Sequence, residues 1–396
     1  VVAGVLFRSQ TASGLAFQYA RSYLESGGVS LGPDLPAERG VAYPPIPGIG
    51  MPFTIRDAMP DNWGRQVINR QLGVDHEDTL PDVRYMLESG SERVGAIDFQ
   101  ASATEYVPRD GESSLRRVAE AAAAIDDDVP VGPEFDAAVR NTLTAAGGSQ
   151  PKAFVRMEDR SWLAKFTTGY DRVSPLIKAE RAAIFIASKA GIDVPDARLV
   201  DIGGRGLTLL IERFDRDGEG RRMVLSGNTI IAFAGASGAS YPQLVQKMVD
   251  LSSEPAEIGP ELFRRLAFRM VMRIDDDHLR NIAAFWDGEH AEFTPAFDLS
   301  PDLNASPTGL TDIGEGSRAF SLQALVERHS FYRVRQAEAL AIAHHMIDVV
   351  RASREEAASI AQMNESETEL LIRRTATPEI LGSVDAVRRA RRSVGL

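Results

Sequence analysis

Ile274-Asp275-Asp276-Asp277-His278-Leu279-Arg280-Asn281 is the stretch on which the fold turns. It closes the run ELFRRLAFRMVMRI (261–274), in which Leu262, Leu266, Met270 and Ile274 fall near one stripe, with Phe263 and Val271 beside it and arginines elsewhere. That spacing predicts a core helix with one wet face. Its Met and aromatic residues read as packing. After the three carboxylates come the short apolar segment IAAFW (282–286) and then FTPAFDLSP (293–301), which carries Asp298. A triple aspartate behind a helix is, taken alone, more often a polar turn or a cap than a site.

The spacing adds a functional reading. Asp276 and Asn281 reproduce the D-x-x-x-x-N of a phosphoryl-transfer catalytic loop, and Asp298 stands where a second metal-facing carboxylate is needed. Mg²⁺ is a hard ion that takes six oxygens, several of them from phosphate and water, so Asn281 and Asp298 make a reasonable protein share. Asp276 is then left to orient a hydroxyl proton. Histidine ligation is a poorer fit, because His344 and His345 sit on a separate predicted helix and no HExxH occurs. A hydrogen-bonded role suits His278 better.

Upstream, AFVRM (153–157) and SWLAKF (161–166) read as two strands, the run to Gly191 as a helix, and ARLVDI and LTLLIERF as two more strands. This order predicts a small, largely antiparallel lobe beside a helix, since a parallel dinucleotide sheet would need repeated crossover helices. Gly147-Gly148-Ser149-Gln150-Pro151-Lys152 precedes the first strand. It matches neither common Gly-rich nucleotide motif, but its exposed N–H groups and Lys152 suit phosphate oxygens. Lys165 is the one charge in WLAKF: it either snorkels or reaches a phosphate, with Glu180 as a candidate ion-pair partner. Glu212-Arg213-Phe214-Asp215-Arg216 ends the next apolar strand, either as a solvated turn or as an adenine-side hinge at Glu212 and Phe214.

The first hundred residues read as mixed helix and sheet, with a helix from about Asn62 capped by Asp61 or Asn62 and a strand at Val94–Phe99. An Ala-rich helix follows at Ser113–Ile125, then the acidic connector AIDDDVPVGPEF, which places the main boundary between about 100 and 145. Beyond about 225 helices dominate, including RQAEALAIAHHMIDVV and REEAASIAQM. The 396 residues hold 44 basic and 56 acidic side chains, a formal charge of -12 that disfavours bare nucleic acid as the principal ligand. No cysteine is present, which removes disulfides and thiolate chemistry and agrees with a cytoplasmic protein. No apolar run is long enough to span a membrane, and the opening VVAGVLFRSQTASG lacks the pattern of a signal peptide. Residue 1 is Val, so a short native beginning is expected to be missing.

Together GGSQPK, WLAKF, ERFDR, DDDHLRN and PAFDLSP resemble the HipA family of serine/threonine protein kinases, the toxin half of a bacterial type II toxin–antitoxin pair; MPDNWGR and GSERVGAI resemble the family's amino-terminal part. The resemblance implies an α+β, two-lobed kinase-like fold, distantly similar to phosphoinositide kinases. It would comprise an amino-terminal subdomain at 1–105, a small lobe with phosphate loop and hinge at 106–224, and a helical catalytic lobe at 225–396. It implies ATP and Mg²⁺ as cofactors, with Asp276 catalytic, Asn281 and Asp298 on the metal, and Lys165 on phosphate. Gly147, Gly148, Ser149, Gln150, Pro151, Lys152, Glu212, Phe214, His278 and Arg280 complete the nucleotide set. Arg280 stands where the family often has Lys. Some members inactivate themselves at a serine just before the phosphate loop, where this chain has Ala145; Thr142, Thr144 and Ser149 are the nearby hydroxyls, and Thr144 is the expected regulatory site by nearness.

The resemblance further implies a HipB-like helix-turn-helix antitoxin, operator DNA bound mainly through that antitoxin, a toxin–antitoxin heterotetramer and nucleoid association within it. The implied substrate is an aminoacyl-tRNA synthetase such as glutamate-tRNA ligase, whose phosphorylation inhibits translation and causes growth arrest or persistence. A lipid or small-molecule kinase, and a catalytically silent antitoxin-binding co-repressor, are the alternatives. The basic tail Arg388-Arg389 and Arg391-Arg392 reads as a solvated cluster or a contact for an acidic partner.

Overall fold

A computed structural model describes residues 1–74, 80–111, 113–129, 135–144, 150–167, 175–203, 206–218, 220–232, 239–303 and 309–384. Contacts divide the chain into two compact units: Val1–Gly169 with Val200–Leu225 and Ala284–His290, and Tyr170–Leu199 with Ser226–Ala283 and Ala291–Leu396. The first opens with β1 (Gly4–Arg8), β2 (Leu15–Tyr19), α1 (Arg21–Glu25), β3 (Ala42–Tyr43), α2 (Phe53–Asp57), α3 (Asn62–Leu72) and α4 (Asp82–Glu88). It continues with α5 (Leu115–Asp126), α6 (Ala137–Thr144), β4 (Lys152–Met157) and β5 (Arg160–Phe166). Helix α7 (Leu176–Lys189) belongs to the second unit; β6 (Ala197–Asp201), β7 (Leu207–Glu212), β8 (Arg216–Asp217), β9 (Gly220–Arg221) and β10 (Met223–Ser226) follow in the chain. Then come α8 (Gly227–Ala232), α9 (Tyr241–Leu251), α10 (Pro255–Met272), β11 (Ala283–Trp286), β12 (Ala291–Phe293), α11 (Leu322–Glu327), α12 (Gln336–Ile360), α13 (Glu365–Arg374) and α14 (Pro378–Leu381).

In the first unit, β1, β2 and β3 form an antiparallel sheet in which Gly4 faces Tyr19 and Phe17 faces Tyr43. Phe17, Tyr19, Leu35, Met51, Ile55, Ile68 and Tyr85 bury their side chains in one cluster against it. A second sheet has the order β4-β5-β7-β6, with β4/β5 and β5/β7 antiparallel. Glu158 and Asp159 both have φ near +60°, the backbone that lets a two-residue turn match the strand twist and join β4 to β5. Helices α3, α5 and α6 send Trp63, Val67, Val118, Ala122, Val139 and Leu143 into a core shared with Ala164 and Leu210. Trp63 adds a directional tie, its Nε1–H donating to the Lys152 carbonyl at 3.0 Å. Asp61 caps α3 by accepting from Asn62 N at 2.9 Å.

The expected strand at Val94–Phe99 is not formed. Gly95 has φ +76°, and backbone groups here bond to side chains: Gly95 N donates to Asp215 and Phe99 N to Asp98. With its polar groups so engaged, the segment has no ladder to join.

The second unit is built on α10, whose Leu262, Phe263, Leu266, Phe268, Met270 and Val271 are all buried. Each such side chain contributes roughly 1.5–3 kcal/mol by leaving water. The long helix α12 packs on α10 and α7, and the two helices read from its sequence are one continuous element. Among the described residues after 225, helices are the main regular elements, and β10, β11 and β12 form a short three-stranded sheet. Helix α10 ends because Arg273 takes a left-handed backbone (φ +62°) while Ile274 N bonds back to the Arg269 carbonyl at 2.8 Å. This reversal aims the three aspartates away from the helix axis.

Candidate active site

Within the second unit, residues 275–281 form a loop that tightens into a single 3-10 turn, Leu279–Asn281. Two donors converge on the Asp276 carbonyl: Arg269 Nη2 at 2.8 Å from α10 and Asn281 Nδ2 at 2.9 Å from the turn. Asn281 N also closes on the His278 carbonyl at 2.9 Å. The backbone of Asp276 is thus pinned, while its side chain is 61% exposed and accepts from His278 Nε2 at 3.3 Å. Asn281 is buried with its amide nitrogen donating to Asp276, and its carboxamide oxygen is of the type a hard cation takes. Asp298 sits in the left-handed region at φ +51°, a conformation that costs a non-glycine residue about 1 kcal/mol or more. Carboxamide and carboxylate oxygens are the donor types Mg²⁺ takes. Among the described residues, no group of three or more His, Asp or Glu side chains is gathered for a metal held by protein alone.

Asp277 points the other way. It is 4% exposed, its carboxylate accepts from Leu310 N at 2.7 Å, and its carbonyl accepts from Thr311 Oγ1 at 2.8 Å and from the Tyr241 hydroxyl. Burial pushes its carboxyl above the usual range, against the bond from Leu310 and the pull of Arg269. So one aspartate of the triplet faces solvent and its neighbour ties the loop to residues 310–311. Sequence reasoning gave Asp275 and Asp277 an open part, orienting the loop or adding to its need for Mg²⁺, and missed Arg269, Tyr241 and Thr311; Asp277 anchors the loop. The expectation of a wet, arginine-lined face on this helix fails at Arg265, Arg269 and Arg273, which are all buried, and Arg269 is drawn in by the Asp276 carbonyl.

Glu180, in α7 of the same unit, is 1% exposed and accepts from Ser300 Oγ at 2.8 Å. Arg280 is exposed on the 3-10 turn.

In the first unit, Lys152 and Lys165 are paired directly across β4 and β5, so both side chains lie on one face of the sheet. Both residues are buried. Two ammonium groups on one face of a sheet are a placement that suits a phosphate anion. Glu212 ends β7 opposite Trp162 and accepts from Arg160 at 3.1 Å. Phe214 sits edge-to-face on Phe285, centroids 5.8 Å apart. Gln150 and Pro151 lead into β4, and Pro151 O accepts from Phe166 N at 3.1 Å. Gly147, Gly148 and Ser149 lie outside the described residues, as do Ala145 and the basic tail at 388–392. Thr144 is fully buried at the end of α6, its Oγ1 accepting from Gly90 N at 3.0 Å. Phosphorylation there requires that bond to open first. Thr142 is buried too, donating to the Ala138 carbonyl at 2.8 Å.

Two compact units, one carrying an antiparallel sheet with facing lysines and one a helical body with a D-x-x-x-x-N loop, define a two-lobed kinase-like α+β fold. Residues 144–365 match the family model for the HipA-like C-terminal domain, and residues 1–100 match that for the HipA N-terminal domain. The chain belongs to the HipA family. Among solved structures it is similar to HipA in the Shewanella oneidensis HipA, HipB and operator DNA complex, with TM-score 0.70 and 18% identity over 98% of this chain and 97% of that one. A Helicobacter pylori proinflammatory kinase, CtkA, aligns at TM-score 0.42 and 14% identity over 63% of this chain and 94% of its own. A Haemophilus influenzae protein named "Putative kinase" is 26% identical over 174 residues, 38% of this chain. The match spans about half of that relative's length, 51%. No helix among the described residues is long and apolar enough to cross a membrane.

Proposed function

We propose that this chain is a Mg-ATP-dependent serine/threonine protein kinase that acts as a toxin and is neutralised by a small helix-turn-helix, HipB-like antitoxin. The observation that carries the reading is the Asp276 loop: a carboxylate exposed on a backbone held from two sides, five residues before a buried Asn. Such a carboxylate accepts the proton of the substrate hydroxyl as the hydroxyl oxygen bonds the γ-phosphorus and the bond from phosphorus to the ADP oxygen breaks. Lys152 and Lys165 offset phosphate charge, and the backbone near Glu212 and Phe214 hydrogen-bonds the adenine, with apolar and aromatic contacts around it. Asn281 and Asp298 would hold Mg²⁺, which supplies charge neutralisation across the phosphates when bound. His278 would orient Asp276, and Arg280 would add positive charge close to the same loop.

An antitoxin and operator DNA as partners are supported by the Shewanella oneidensis complex, and the acidic charge of this chain favours DNA contact through the antitoxin. A heterotetramer, nucleoid association and an aminoacyl-tRNA synthetase substrate such as glutamate-tRNA ligase follow from the family resemblance. The test is radiolabel transfer from ATP to candidate proteins, lipids and metabolites by the wild type and by Asp276→Asn. Transfer to protein by the wild type alone is expected; equal transfer by both sinks the assignment of Asp276.

A further inference from the structure

The residues between Glu212 and Arg216 are held by a buried ion network that leaves the hinge and ends on the amino-terminal segment 91–95. Arg213 is 3% exposed at its side chain, Asp215 5% and Arg216 8%. Arg213 and Asp215 make a two-pronged pair, Nε–Oδ1 at 2.9 Å and Nη2–Oδ2 at 2.8 Å. Arg216 Nη1 reaches the same Asp215 oxygen at 3.0 Å. Burial pushes the Asp215 carboxyl up, but the two guanidiniums outweigh it and hold it below the usual range.

Both arginines then continue into the amino-terminal segment. Arg213 Nη2 and Arg216 Nη2 each donate to the Arg93 carbonyl at 2.6 Å, and Arg216 Nη1 donates to the Gly95 carbonyl at 3.1 Å. Glu92 meets Arg213 at 3.0 Å, Arg216 at 3.2 Å and Arg221 at 3.4 Å. In return Gly95 N donates to Asp215 Oδ2 at 2.7 Å. Gly95 has φ +76°, and a Cβ there would stand 3.3 Å from Val224 N, so no other residue fits this approach without strain. Arg93 itself is fixed beneath, 1% exposed, on Asp98 at 3.0 Å and the Ala58 carbonyl at 3.0 Å; burial brings its guanidinium down to about 10.

The geometry explains what this network does to the hinge. Arg213 N extends the β7 ladder by one bond, to the Ser161 carbonyl at 2.9 Å, so its side chain and that of Glu212 leave opposite faces. With Arg213 stacked 3.8 Å over the Phe154 ring and tied to Glu92 and Arg93, the backbone running from Glu212 to Phe214 is held in place on the side of Arg213, while the Glu212 side chain bonds Arg160 on the other face. Phe214 is bracketed by two anchored residues. We infer that segment Glu92–Gly95, through Arg213, Asp215 and Arg216, is a positioning latch for the nucleotide hinge, so that the amino-terminal part of the chain sets ATP affinity without touching ATP. This inference rests on Glu212 and Phe214 being the adenine-side residues.

The test compares full-length wild type, Glu92→Gln and Asp215→Asn by Mg-ATP binding, steady-state transfer and thermal unfolding. Tyr85→Phe serves as the control, since it removes a buried bond to Asn69 in the same unit without touching the hinge. The expected result for Glu92→Gln is an ATP KM raised about fivefold or more with kcat within about twofold, partial recovery in Glu92→Asp, and no KM change in Tyr85→Phe. Asp215→Asn is expected to shift KM further. If that variant fails to fold, Glu92→Gln still decides, because Glu92 is 38% exposed at its side chain. A melting temperature lowered in Glu92→Gln with KM unchanged overturns the latch and leaves a merely structural network. Wild-type protein that binds no Mg-ATP overturns the hinge reading itself, a distinct failure.

Discussion

Replacing Asp277 with asparagine and with alanine separates two contributions of one buried carboxylate. The side chain accepts from Leu310 N, and burial keeps its pKa above the ordinary carboxylate range. A carboxyl with a raised folded pKa binds more protons folded than unfolded. Its contribution to stability is therefore greatest below the unfolded value and falls as pH climbs through the folded one. Asp277→Asn keeps an oxygen for Leu310 N and removes the ionisation. It should melt at least as high as wild type at neutral pH, with the advantage shrinking toward acid. Asp277→Ala leaves Leu310 N without its acceptor and should cost about 1–3 kcal/mol, or roughly 2–10 °C in Tm for units of this size. Thermal unfolding followed by circular dichroism at constant ionic strength, from acid to mildly alkaline pH, reads both. An Asp277→Asn deficit that widens with pH would mean that the site favours the ionised carboxylate, and would refute the reasoning.

Three further outcomes follow from other contacts. Trp63→Phe takes the donor from the Lys152 carbonyl and should lower stability by about 1–3 kcal/mol in urea titration; unchanged stability would show that the tie between α3 and β4 contributes nothing. Lys165→Met should reduce ATP turnover by about tenfold or more; full activity would remove Lys165 from the phosphate set. Phosphorylation at Thr144, if phosphosite mapping after incubation with Mg-ATP finds it, should come with lost hydrogen-exchange protection at Gly90 N. Phosphothreonine at 144 in protein whose Gly90 amide stays protected would contradict the buried bond.

Local pattern carried the parts of this fold that local physics determines. The stripe of Leu262, Leu266 and Met270 sufficed for α10, the apolar and aromatic run WLAKF for β5, and a cap at Asp61 or Asn62 for the start of α3, which Asp61 supplies. The D-x-x-x-x-N loop was legible because its constraint spans six residues. What the sequence hid is set by long-range packing. Asp275, Asp276 and Asp277 are chemically identical, and only the left-handed turn at Arg273 and the presence of Leu310 decide which carboxylate is drawn inward. Val94–Phe99 looks like a strand because its apolar residues suit one, but its backbone bonds go to side chains, including an aspartate 120 residues away.

The same contrast bears on ERFDR. Read alone, Arg213, Asp215 and Arg216 are the charged end of a strand, and solvent is the ordinary destination for such residues. Their burial makes sense only once the segment at 91–95 supplies carbonyls and a carboxylate, since an unpaired buried guanidinium would cost several kcal/mol. The hinge and the amino-terminal segment are therefore interdependent. Removing the acceptors at Glu92–Gly95 leaves two buried guanidiniums sharing the single carboxylate of Asp215, and removing the arginines leaves the Arg93 and Gly95 carbonyls without these donors. Changes in the first hundred residues should consequently register at the proposed nucleotide hinge before they register in the Asp276 loop, whose supports from Arg269 and Asn281 lie wholly within the second unit.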